Sequence, residues 1–196
     1  LHEGFVSNQI FNVCSPLKEI FSFYDLDLNN SKILSELQLE KNKYFVVSLH
    51  REENVDDPEK LTKLIEAIGS TLDHFDHDVI FSTHPRTKER LSNLNIKFNK
   101  RINFITALGF FDFNKLQKNA FCVISDSGTL TEEASLLGFP AVTLRDAHER
   151  PEGTDNGTLA MSGSSANQLV SEVAVVRAQF DSRNLPKPIS DYEVND

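Results

Sequence analysis

A chain of 196 residues with 39% hydrophobic and 25% charged residues has the composition of a folded domain, which excludes wholesale disorder. At this length roughly 70% of the unfolded surface can be buried, enough for a full core. Twenty-nine acidic residues against 20 basic ones give a net charge of -9, the wrong sign for holding a nucleic-acid backbone, and no Lys/Arg cluster overrides it.

An anionic ligand would therefore need a local set of cations or helix N-termini. The longest apolar runs fall well short of the ~20 residues that cross a bilayer, so no membrane association is expected, and no signal-peptide pattern opens the chain. The first residue is Leu1, not Met, which points to a fragment. Cys14 and Cys122 both stand beside apolar residues. They read as small buried hydrophobes in a reducing, cytoplasmic compartment, not as a disulfide scaffold.

Taken in chain order, Ser15-Pro16 opens a helix carrying Leu17, Ile20 and Phe21. YFVVSL at 44–49 is almost continuously apolar, the pattern of a parallel strand covered on both faces. Asp57-Pro58 then supplies an N-cap and a first-turn proline. Leu61, Leu64, Ile65, Ile68 and Leu72 follow on one helical face. A strand at 79–82, a helix at 86–94, a strand at 102–105 and a short helix at 112–119 come next. A strand at 122–125 leads to a helix at 129–137 stopped by Gly138 and Pro140. After a strand at 141–144, residues 165–180 form a helix with Leu169, Val170, Val173, Val176 and Phe180 inward. Residues 185–196, with two prolines, read as an exposed tail. Strand and helix alternate throughout. This predicts an α/β fold with a doubly wound, mostly parallel, Rossmann-like sheet, whose ligands bind beyond the carboxyl ends of the strands.

Those strand ends carry the candidate chemistry. His50-Arg51 follows the first strand and could face an anion, or belong to a plain charged loop. His84-Pro85-Arg86 repeats the pairing after the second strand, where Pro85 could equally just start a helix. After the fourth strand, Asp126-Ser127-Gly128-Thr129 runs straight into a helix. Free N–H groups and the helix dipole there suit a phosphate, and the bland reading is an ordinary cap. Glu133, one turn in, could accept hydrogen bonds from a ribose diol, or face solvent. Arg145 and Arg150 follow the fifth strand and could clamp a diphosphate, or neutralise neighbouring carboxylates. The DHFDHD run at 73–78 is rich in metal-ligating types but falls on the opposite edge of the sheet, so no metal is expected there. No Gly-x-Gly-x-x-Gly, Walker A or Gly-x-Ser-x-Gly motif occurs. The residues alone suggest a nucleoside diphosphate held by one Rossmann-like domain.

Three strings, HREEN at 50–54, SDSGTLTEE at 125–133 and HERPEG at 148–153, resemble the non-hydrolysing UDP-N-acetylglucosamine 2-epimerases, in the same order along nearly the whole chain. SLHREENVD and STHPRT are most similar to the branch forming UDP-N-acetyl-L-fucosamine for capsule and O-antigen precursors. The resemblance implies the C-terminal half of a GT-B-like two-domain fold. Residues 1–184 would be the UDP-binding domain, and 185–196 a linker to a missing crossover helix. The family's N-terminal domain, which carries the carboxylates that move the C2 proton, is absent. It implies a UDP-sugar substrate, no cofactor, and a homodimer in the full-length protein. Matched by motif, His50 and Arg150 are catalytic. Arg51, Phe113, Ser127, Gly128, Thr129 and Glu133 bind UDP, with the backbone of Phe113, in a loop, reading the uracil. His84 falls where some members bind an allosteric UDP-sugar. Thr129 stands where the family often has glycine, and Cys14 replaces the glycine usual before Ser-Pro. The alternatives are the nucleotide domain of a GT-B glycosyltransferase and a non-catalytic nucleotide-sugar-binding module.

Overall fold

A computed structural model describes residues 15–145, 159–161 and 165–182. Three short helices come first: α1 (Leu17–Phe23), α2 (Asp25–Asn30) and α3 (Ile33–Glu36). Then β1 (Tyr44–Ser48), α4 (Glu52–Val55), α5 (Pro58–Phe75), β2 (Asp78–Thr83), α6 (Pro85–Ser92) and β3 (Ile102–Thr106) follow. The second half holds α7 (Phe110–Asn119), β4 (Cys122–Ser125), α8 (Leu130–Leu137), β5 (Ala141–Thr143), β6 (Leu159–Met161) and α9 (Ala166–Asp181). All strand pairings are parallel, in the order β3-β2-β1-β4-β5-β6. The fold class expected from the apolar runs is the one found.

Alternation along β1 divides the core into two layers. Phe45 and Val47 face α5 and α9, joining Leu61, Leu64, Ile68, Leu169, Val173 and Val176. Tyr44 and Val46 face the other way, with Ile33, Leu116, Leu130 and Ala134 from α3, α7 and α8. The first four residues of β1 are thus buried on both faces, which is why its sequence shows no polar alternation. β3 is an edge strand, and its Asn103 and Phe104 are exposed.

Local signals act where the sequence places them. The Asp57 carboxylate accepts from the Glu59 and Lys60 N–H groups at 2.9 and 3.3 Å and caps α5 ahead of Pro58. Gly138 takes a φ of 67° and ends α8; a Cβ there meets no atom, so the left-handed backbone alone asks for glycine. Four elements were not expected: α2, α3, α4 and β6, each of three to six residues and too short to show a period.

The DHFDHD run does lie where α5 ends and β2 begins. Its groups face different partners. Asp73 accepts from Asn99, Asp76 pairs with Arg101 at 2.6 Å, and the His77 ring meets Phe121 edge-on at 4.6 Å. Among the described residues no helix is long and apolar enough to cross a membrane.

Cys122 is fully buried on β4, and burial pushes its thiol far above the usual range. Cys14, the HERPEG motif and the 185–196 tail lie outside the described residues. In a Cys14→Ser background, a thiol reagent such as DTNB is expected to leave Cys122 unmodified in buffer and to label it only at the rate of unfolding in denaturant. Prompt labelling of native protein would contradict the buried position.

Candidate functional site

The strand order reverses between β1 and β4. In an open parallel sheet this is where the crossover helices diverge to opposite faces and leave a crevice at the carboxyl ends. The two strands pair directly, Ser48 opposite Ser125, so the segments leaving them are neighbours despite 76 residues between His50 and Asp126. The HREEN and SDSGT motifs therefore meet at this point.

Asp126 organises the meeting. It is 0% exposed, and its carboxylate accepts from the His50 N–H at 3.1 and 3.2 Å, the Arg51 N–H at 3.0 Å and the Asn54 Nδ2 at 3.0 Å. His50 Nδ1 lies 3.2 Å from the same carboxylate. The ring thus stands beside the buried carboxylate, and the residue is anchored through its backbone N–H. Asn54, also buried, donates to the Leu144 carbonyl at 2.9 Å, so the end of β5 joins the same assembly. Neither Asp126 nor Asn54 was assigned a role from sequence. The available signal was a carboxylate placed directly after a fully buried strand.

The turn after Asp126 is also ordered by hydroxyls. The Ser127 N–H donates to Ser125 Oγ at 3.1 Å, and the Ser127 and Thr129 hydroxyls are 3.0 Å apart. Gly128 stands between them, half-buried. α8 starts at Leu130 without a side-chain cap, so the N–H groups of its first turn find no acceptor within the helix. Glu133, half-buried, accepts from the Thr129 hydroxyl at 2.8 Å and from Gln117 Nε2 at 2.9 Å. Ser15, at the head of α1, hydrogen-bonds to Glu132 and so ties the Ser-Pro turn to α8.

The second His-x-Arg pair plays a different part. His84 is the N-cap of α6, its Nδ1 accepting from the Arg86 N–H at 3.4 Å. The Arg86 guanidinium is committed to α4, pairing with Glu52 at 2.7 Å and with Asp56, which also takes Arg90 at 3.1 Å. Hydrogen bonding from Arg86, then from Arg90, holds the Asp56 carboxyl below its usual range. The Thr87 hydroxyl donates to the Leu49 carbonyl at 2.6 Å, so α6 braces the first loop from outside. Arg51 reaches the rim through its backbone, and its guanidinium lies 3.7 Å from Glu53. Arg145 is buried at the end of β5. Arg150 lies outside the described residues.

Phe113 corrects one expectation. It is not in a loop but in the first turn of α7, which begins at Phe110, two residues earlier than expected. Its N–H donates to the Gly109 carbonyl at 3.0 Å and its ring packs in the second core layer. The backbone N–H of Phe113 is therefore not open to a base.

In chemical terms the crevice offers oriented N–H donors and a histidine fixed by a buried carboxylate, with a second carboxylate one turn into α8. This suits a multiply charged oxyanion joined to a hydroxyl-bearing group. Comparison with known proteins agrees. The family model described as UDP-N-acetylglucosamine 2-epimerase matches residues 1–193. A Methanocaldococcus jannaschii protein of that name is 36% identical over 189 residues, covering 90% of this chain and 50% of that protein. The solved UDP-N-acetylglucosamine 2-epimerase of Rickettsia bellii superposes with a TM-score of 0.86 at 37% identity, over 97% of this chain and 51% of that one. The Methanocaldococcus jannaschii structure in complex with UDP-GlcNAc and UDP gives 0.86 at 33% identity, over 97% and 55%. The chain spans about half the length of the relatives it matches. From its three motifs, its strand order and these likenesses, the chain belongs to the UDP-N-acetylglucosamine 2-epimerase family.

Proposed function

We propose that these 196 residues are the nucleotide-holding half of a non-hydrolysing UDP-N-acetylhexosamine 2-epimerase. The observation that carries the proposal is the convergence of the His50 loop and the Ser127–Thr129 turn, locked together by Asp126, at the β1/β4 switch point. The relative solved with UDP-GlcNAc and UDP supports the ligand class. In this reading residues 1–184 are the UDP-binding unit and 185–196 a linker. The SLHREENVD and STHPRT strings favour the branch that makes UDP-N-acetyl-L-fucosamine for surface polysaccharide.

Inversion at C2 then proceeds by elimination and re-addition. The C1–O bond breaks, its electron pair passes to the β-phosphate, and the C2 proton leaves, giving a 2-acetamidoglycal. UDP then adds back at C1 while a proton returns to C2 on the opposite face. Charge develops on the β-phosphate, where His50, Arg150, the Gly128 N–H of the 127–129 turn and the first turn of α8 stabilise it. Glu133 receives the ribose. With the Phe113 N–H engaged inside α7, peptide groups at the mouth of that helix read the uracil. The resemblance assigns the carboxylates that move the C2 proton to the other half of the family's two-domain fold.

Calorimetric titration of the chain with UDP and UMP, on wild type and Arg150→Ala, tests the proposal. UDP is expected to bind more tightly than UMP. Arg150→Ala is expected to weaken UDP by about tenfold to a hundredfold, the range for a charge-assisted contact to phosphate, and to abolish the preference. The chain by itself is expected to show no epimerisation. Equal responses to the two nucleotides, or turnover by the pure chain, would overturn this reading.

A further inference from the structure

Gln117 is a buried amide that the chemistry described so far leaves without a purpose. It is 1% exposed, two turns into α7, next along the helix to Leu116 of the second core layer. Its Nε2 donates to Glu133 Oε2 at 2.9 Å. Its Oε1 is buried with no hydrogen-bond partner among the described residues. Reversing the amide would set its oxygen against a carboxylate oxygen, so Glu133 dictates the orientation. A methionine would fill this position without stranding a carbonyl, and packing alone gives no reason for the amide. What the amide secures is control of a carboxylate sixteen residues further along the chain.

The other oxygen of that carboxylate is held too, by the Thr129 hydroxyl at 2.8 Å. Each oxygen of Glu133 thus takes one donor from the protein. A carboxylate has about four lone-pair sites, so one remains on each oxygen. Two fixed acceptor sites side by side match the two hydroxyl donors of a vicinal diol. The geometry points to Gln117 as a positioning residue that, with Thr129, aims the Glu133 carboxylate to accept both hydroxyls of a nucleotide ribose. This deepens the nucleotide reading of the rim and rests on it. Without Gln117 the carboxylate can swing about its side chain, and only the ribose contact suffers.

The test is titration of the 196-residue chain with UDP and with 2′,3′-dideoxy-UDP, for wild type, Gln117→Met and Thr129→Val. Wild type is expected to prefer UDP by at least about tenfold, the lower end for even one hydrogen bond to a charged acceptor. Gln117→Met is expected to reduce that preference to about threefold or less by weakening UDP alone, with the dideoxy analogue binding as before and the thermal midpoint not lowered. A merely structural role would lower the midpoint and weaken both nucleotides together. Thr129→Val, at an exposed position, removes the second donor without touching the core and is expected to erode the same ratio. If wild type discriminates and Gln117→Met discriminates equally, this inference falls and the nucleotide reading stands. If wild type binds both nucleotides alike, the ribose role of Glu133 falls and the inference with it. No response of wild type to UDP overturns the nucleotide reading itself.

Discussion

Replacing Asp126 with alanine is expected to destabilise the chain by about 3–5 kcal/mol, the range for removing one partner from a buried charged network. For a domain of this size that corresponds to a thermal midpoint lower by roughly 6–20 °C. The reason lies in what the carboxylate satisfies. It is fully buried and accepts from two consecutive backbone N–H groups and the Asn54 amide, with the His50 ring alongside. Its removal strands those donors, and burying an unpaired donor costs about 1–3 kcal/mol. Asp126→Asn is expected to fall between the two, since its amide oxygen can keep one or two of the bonds while its NH2 faces donors it cannot accept. The functional loss should exceed the loss of stability. With the 50–54 loop untied, the His50 ring no longer has a fixed address, and UDP affinity measured well below the midpoint should fall by at least about tenfold, one charge-assisted contact or more. Calorimetric melting and titration of the same samples check both parts. A melting curve within a degree or two of wild type would remove Asp126 from its organising position.

Phe45→Ala is expected to lower stability as much, by about 3–5 kcal/mol, with the opposite functional signature. Phe45 lies in the central strand, 0% exposed, with Phe121 edge-on at 5.3 Å and Phe75 and His77 tilted at 6.0 and 6.2 Å. Truncation there opens a cavity among aromatic rings near the amino end of β1, away from the rim at its carboxyl end. The urea midpoint should drop while the slope stays constant, because the surface exposed on unfolding is unchanged. UDP affinity of the folded fraction should stay within about twofold of wild type, below the energy of one hydrogen bond. Together the two variants separate scaffold from site: equal damage to stability, unequal damage to binding.

The scaffold could be read from the chain because parallel strands covered on both faces leave a blunt signal. All five apolar runs are strands, and the expected inward residues of α5 are all buried. β6 was not legible, because its apolar stretch, Leu159–Met161, is only three residues long. α4 was read as a charged loop because Glu52 and Glu53 dominate its composition. Yet Asn54 and Val55 on its inner side are buried, and one turn is too short for a period to register. The site was legible as motifs, not as a mechanism of assembly. His50, Ser127, Thr129 and Glu133 stood out by residue type beside strand ends. Asp126 and Gln117 did not, because what distinguishes them is burial against partners 76 and 16 residues away. Arg86 misled for the same reason: its carboxylate partners, Glu52 of α4 and Asp56 at the end of that helix, are 34 and 30 positions upstream.

The distance along the chain between the two halves of the rim also bears on how the protein is made. On a ribosome extending the chain at about 5–20 residues per second, the 76 positions separating His50 from Asp126 correspond to roughly 4–15 s of translation. Throughout that interval β1 can pair with β2 on one side only, and its other edge is an open template for wrong pairing until β4 is delivered. Nascent chains stalled before residue 122 should therefore depend on holdase chaperones far more than chains only a few dozen residues longer.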